Sequence, residues 1–200
     1  MIGIWRKYRD VSSEDKLTFV FFFVASVLLF GAYFLSAFRS PVNADAGYYL
    51  GTVELIHKRF VPYRDFKLSY TPLFFYVLQI PRLFMGKYPD YTIYMLFLYL
   101  IVFSDALLLA AIVKKISKSV KWAWLSAIAF LILYYYLDGA YFVLEACSMC
   151  FGLASMLILM GEKQTVWRMM LSGAFAALAF LAKILPARLI NFIIRLIYIS

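Results

Sequence analysis

Leu17 to Phe38 reads LTFVFFFVASVLLFGAYFLSAF, a run without one charged residue. A helix rises about 1.5 Å per residue, so roughly 20 such residues cross a hydrocarbon core of about 30 Å. The stretch is therefore expected to span a membrane. It is too long for the apolar core of a cleaved signal peptide and no small-x-small cleavage site follows, so it is expected to remain as an anchor. Arg6, Lys7, Arg9 and Lys16 precede it and place the amino terminus in the cytoplasm.

Composition extends this reading to the whole chain. Hydrophobic residues make up 65%, charged residues only 16%, and mean hydropathy is +0.83; a soluble globular surface needs more charge. The fold class expected is all-α, a polytopic helical membrane protein. The net charge of +9 does not point to nucleic acid, because many of the cations fall in short loops between spans, as the orientation rule requires.

After the first span (17–38) the sequence predicts further spans at 91–113, 122–138, 142–160 and 166–183, in one membrane domain over residues 1–200. Lys114, Lys115, Lys118 and Lys121 mark an inner turn, and Lys163 and Arg168 another. Trp122 and Trp124 at one end of the third span and Tyr134, Tyr135 and Tyr136 at the other read as aromatic belts. The tail 184–200 fits an interfacial helix, a span with an inward polar stripe, or a sequence unrelated to the chain's natural continuation.

The outer loop, 39–90, holds the densest polar chemistry. Ala46, Tyr49, Leu50, Val53, Ile56 and Phe60 recur at helical spacing, and Glu54 and Lys58 form an i, i+4 pair, which predicts a juxtamembrane amphipathic helix over 45–60. A second interfacial helix is expected over 71–85, opened by Pro72 and interrupted by Pro81 and Arg82. Asp45 suits two roles here: N-cap of the first helix, and general base at the membrane surface. Glu145, just past an outer turn at Asp138-Gly139, is either an exposed loop acid or a group facing a wet cavity. Lys183 ends the fifth span, snorkelling or holding a lipid phosphate. Asp105 lies about 9 residues, or ~13 Å of helix, from the inner lysines and is expected to be neutral or bonded between helices. Cys147 and Cys150 read as small packing residues on one helix face, or else as a metal or redox pair.

Asp45-Ala46-Gly47-Tyr48-Tyr49-Leu50, then Pro62-Tyr63-Arg64-Asp65-Phe66, then Thr71-Pro72-Leu73, resemble the amino-terminal part of GT-C glycosyltransferases of the protein O-mannosyltransferase and aminoarabinose transferase type. Their pattern runs Asp-Glu-Gly-x-Tyr, Gly-x-x-Pro-Tyr-Arg-Asp-Phe and Pro-Pro-Leu, and order and spacing match from Arg39 to about Gly86. Here Ala46 stands in place of the second acid, the glycine near Arg59 is absent, and Thr71 replaces the first proline. Glu145 and the small-residue span closing on Lys183 extend the likeness. Intact members are much longer, so the resemblance implies an amino-terminal, truncated piece.

The resemblance implies a multi-pass enzyme of the cell membrane moving a sugar from a polyprenyl or dolichyl phosphate donor to an acceptor on the extracytoplasmic face. Asp45 would be the base and Glu145 would shape the cavity. Arg64 or Lys183 would face the donor phosphate, with Asp65 and Tyr48 in the substrate-binding set. The lipid-linked sugar is substrate, not cofactor; no metal ligand is assigned, and metal use stays open. Membrane lipid is a further partner, and protein partners stay unnamed. Two other readings stand beside it: a non-catalytic membrane subunit or remnant, and a small transporter supported only by Asp105 and glycine-containing spans.

Overall fold

The computed structural model describes residues 13–39, 44–68, 70–86, 90–138, 145–161 and 165–182. Among these residues the chain is all-helical, without a β-strand. The helices are α1 (Ser13–Arg39), α2 (Ala44–His57), α3 (Leu73–Val77), α4 (Gln79–Arg82), α5 (Tyr91–Ser117), α6 (Val120–Asp138), α7 (Glu145–Leu159) and α8 (Val166–Ala182). Both α1, through Lys16–Leu35, and α5 are long and apolar enough to cross a membrane. The apolar helices α6, α7 and α8 are shorter.

Long side chains with good helix propensity carry α5 past the expected end at Val113 to Ser117. Asp90 caps its start by accepting from the Thr92 amide at 2.8 Å. Lys118, at φ 53°, ends it in the left-handed region, and α6 begins at Val120, so the turn is tighter than the sequence predicts. The expected second outer helix is split in two. Pro81 has no N–H to return to Val77 and its ring crowds that carbonyl, so α3 closes at Val77 and α4 opens at Gln79.

Helix α5 is central, with α6 and α7 against it and α1 lying across α5 and α6; α8 packs on α7. Two apolar clusters divide the bundle by level. Phe22, Val102, Ala106, Ala110, Ala123, Ala127 and Leu131 fill the end where α5 turns into α6. At the other end α2 and α3 pack onto Tyr94, Met95, Leu98 and Tyr99 of α5. Trp124 belongs to the first end, where its ring lies 4.5 Å from that of Phe22 and 5.4 Å from that of Phe19. Trp122 and Tyr136 are exposed as a belt requires.

Small residues let α7 and α8 approach closely. Ser148, Gly152 and Ser155 of α7, and Ser172 and Ala179 of α8, are buried. Ser148 donates to the Ala179 carbonyl at 2.8 Å, Ser155 to the Ser172 carbonyl at 2.9 Å, and Ser172 to the Ser155 carbonyl at 3.1 Å. Interhelical bonds of this kind contribute about 0.6 kcal/mol each in apolar surroundings. The tight fit adds more. Ser155→Leu is expected to overpack the interface and lower stability by about 1–3 kcal/mol, while Ser155→Ala costs about 1 kcal/mol or less; denaturant unfolding in detergent compares them, and an unchanged Ser155→Leu protein refutes the packing.

Candidate functional site

Asp45 lies inside the first turn of α2, which starts at Ala44. It is therefore not the N-cap. A carboxylate at that position is favoured by the positive end of the helix, and its side chain is exposed. Tyr48 and Tyr49, three and four residues on, share its side of the helix. Ala46, Tyr49, Thr52 and Val53 are buried. Phe60, expected on the apolar face, lies beyond the helix and is exposed.

An aromatic cluster fixes that end of α2. Tyr49 packs edge to face on Phe74 at 5.7 Å and on Tyr70 at 5.7 Å, and Tyr48 lies 6.0 Å from Tyr70 and 6.4 Å from Phe75. Burial pushes the Tyr49 phenol above its ordinary value, and its hydrogen bond to Tyr70 and the negative charges of Tyr70 and Asp45 add to the shift. Asp45 thus sits beside a rim of phenols.

The chain leaves α2 through a Schellman turn: the Arg59 amide donates to Ile56 at 2.9 Å and the Phe60 amide to Leu55 at 3.1 Å. This demands the left-handed region, and Arg59 has φ 69°. The GT-C pattern has its glycine at this position. The side chain differs while the conformational demand remains. Val61 to Phe66 then closes on itself, with Tyr63 donating its amide to Phe66 at 2.9 Å and its hydroxyl to the Tyr70 carbonyl at 3.0 Å. Arg64 grips Asp65 through two bonds of 2.9 Å, and Asp65 also accepts from the Val61 amide at 2.7 Å. Arg64 is therefore engaged by Asp65 within the turn.

Three elements meet at this end. Ala46 and Tyr49 beside Asp45, Cys147 two residues after Glu145, and Ala182 before Lys183 belong to one apolar cluster with the first half of α5. Thr71 ties the loop to the end of α8 by donating to the Ala182 carbonyl at 3.0 Å. The loop that follows α2 is thus held against the end of α8. Glu145 is half-buried, and Lys183 lies outside the described residues, as does the tail 184–200.

Sequence reasoning missed Arg82. It is only 3% exposed, donates to Glu54 at 3.1 Å and to the Gly86 carbonyl at 2.9 Å, and so clamps α4 to α2. Glu54 also pairs with Lys58 at 3.7 Å. The available signal was an arginine after proline in an aromatic stretch, with an acid on the preceding helix. Gln79 makes the same joint by donating to the Val53 carbonyl at 2.9 Å. Tyr70 was missed too, being read only as part of the loop.

Asp105 is 0% exposed on α5, and among the described residues neither carboxyl oxygen has a hydrogen-bond partner. Cys147 and Cys150 of α7 are among its neighbours. The Cys150 thiol faces the carboxyl across the α5–α7 contact, on the neighbouring helix where the interhelical partner is expected. Among the described residues no three His, Cys, Asp or Glu side chains are grouped to hold a metal ion. No protein family, curated protein or solved structure matches the chain.

Two measurements test this local construction. Arg59→Gly relieves the left-handed strain and is expected to raise stability by about 1 kcal/mol, read by thermal unfolding, while Arg59→Val lowers it. The Asp65 carboxyl is lowered to about 2, first by the Arg64 hydrogen bond and then by the Val61 amide. Its ordinary value is about 3.9, so its contribution is fully present above about pH 4 and fades as pH falls through 2. Hydrogen exchange across residues 61–66 is expected to rise over that window, and Asp65→Asn to abolish the dependence.

Proposed function

We propose that the chain is a membrane glycosyltransferase, or the amino-terminal part of one, using a polyprenyl or dolichyl phosphate sugar. In this reading α1, α5, α6, α7 and α8 cross the cell membrane, with the amino terminus in the cytoplasm, and α2 to α4 lie at the outer headgroup level. The observation that carries the proposal is the exposed Asp45 in the first turn of α2, with Tyr48 beside it packed on Tyr70 and the next residue, Thr71, bonded to the end of α8. That arrangement suits a reaction at the bilayer surface.

The chemistry follows from the groups present. Asp45 takes the proton of an acceptor hydroxyl as its oxygen bonds to the anomeric carbon; the bond from that carbon to the phosphate oxygen breaks, and the lipid phosphate leaves with the electron pair. Cations next to the leaving group stabilise its charge. Arg64 is held by Asp65, which leaves Lys183 as the cation proposed for the leaving group. Tyr48 and the neighbouring phenols line the approach, and Glu145 bounds it.

One observation favours the non-catalytic reading. Ala46, where the GT-C pattern has its second acid, is wholly buried in the core, so no second carboxylate joins Asp45 there. Membranes given labelled polyprenyl phosphate sugar separate the readings. Transfer by the unaltered chain and a loss of about 10²–10⁴-fold in Asp45→Asn are expected; absence of transfer in both forms removes the enzyme proposal.

A further inference from the structure

We propose that the turn between α5 and α6, together with the start of α8, is a docking surface for anionic phospholipid headgroups in the leaflet facing it. The inference rests on α5 and α6 crossing the membrane and not on glycosyl transfer. Lys114, Lys118 and Lys121 are exposed around this one tight turn. Lys115 reaches across to the Met160 carbonyl at 3.4 Å, so the turn that ends α7 and leads to α8 is joined to it. Trp122 is 61% exposed and Trp167 78%, with Ile116 also exposed between the lysines. Indole rings settle at the headgroup level, which puts the ammonium groups among lipid phosphates.

Charge balance singles out this face. From Ala106 to Leu137 the sequence contains no Asp or Glu, and Asp105 is fully buried. The outer loop is basic too, but Arg82 and Lys58 pair there with Glu54, and Arg64 pairs with Asp65. Among the described residues the lysines of the α5–α6 turn have no ion-pair partner, Asp138 lies at the far end of α6, and the side chains of Glu14 and Asp15 at the start of α1 and of Glu162 in the neighbouring turn lie outside those described. A surface with several ammonium groups and an aromatic border complements a phosphodiester anion. Zwitterionic headgroups lack that net charge.

The test uses the full chain in nanodiscs holding equal amounts of phosphatidylglycerol and phosphatidylcholine, with retained lipids weighed by native mass spectrometry. Phosphatidylglycerol is expected to be enriched roughly tenfold, falling at high salt as screening tightens. The Lys114→Gln/Lys118→Gln/Lys121→Gln variant is expected to lose that enrichment, while Arg59→Gln/Lys67→Gln keeps it. Retention in bulk proportion by the unaltered chain overturns the proposal, as does equal loss in both variants. Displacement of the lipid by inorganic phosphate overturns it as well, because the surface then takes soluble phosphate. Should the triple variant fail to fold, the salt series on the unaltered chain decides: enrichment indifferent to salt refutes the charge-based surface. A chain without transferase activity that still enriches phosphatidylglycerol keeps this inference and loses only the enzymatic one.

Discussion

Where water is scarce, a side-chain donor must find an acceptor within the protein, and here the acceptors are repeatedly backbone carbonyls of the neighbouring element. Tyr99 of α5 donates to Ser26 of α1 at 3.0 Å. Ser148 and Ser155 of α7 reach α8, and Thr71 before α3 reaches the end of α8. Gln79 of α4 reaches α2, and Lys115 of α5 reaches the end of α7. Each bond contributes little. Together they fix rotation and depth at helix pairs whose apolar surfaces alone permit sliding.

The same constraint explains what was legible in the sequence. Apolar runs bounded by lysines are one-dimensional signals, and they place α1, α5, α6, α7 and α8 within a few residues of where the structure has them. Interhelical partners are not one-dimensional. Ser155 and Ser172 read as ordinary small residues until α7 lies on α8, and Trp124 reads only as a belt residue until α1 turns Phe19 and Phe22 towards it. The break before Pro81 was half visible: the proline is plain, but its effect falls four residues earlier, on the carbonyl that it crowds.

For the candidate site the division is sharper. Asp45, Arg64 and Asp65 stand out by type and spacing, and the turn that holds Arg64 and Asp65 follows the local pattern Pro-Tyr-Arg-Asp-Phe. Arg59 teaches the limit of pattern matching, since the absent glycine suggests a lost turn while the backbone keeps φ 69° there. Arg82 is the counterpart. Its burial depends on Glu54, 28 positions away in sequence, and an arginine fully removed from water is unaffordable without such a partner. Tyr70 gains meaning only through Tyr48, Tyr49 and Tyr63, which gather around it in space.

Asp105 is the exception that the pattern of donors and carbonyls exposes. This carboxyl sits between α5 and α7, across from Cys150, with neither oxygen in a well-formed hydrogen bond among the described residues. An apolar residue of equal volume would be cheaper there by the desolvation argument. Neither the transfer chemistry proposed at Asp45 nor the lipid contact proposed at the α5–α6 turn uses it, because it lies in the middle of α5. The acid is therefore tied to the α5–α7 contact itself. It lies opposite Cys147 and Cys150, the polarizable pair on α7, so that contact, like the serine-linked α7–α8 pair, is not decided by shape alone.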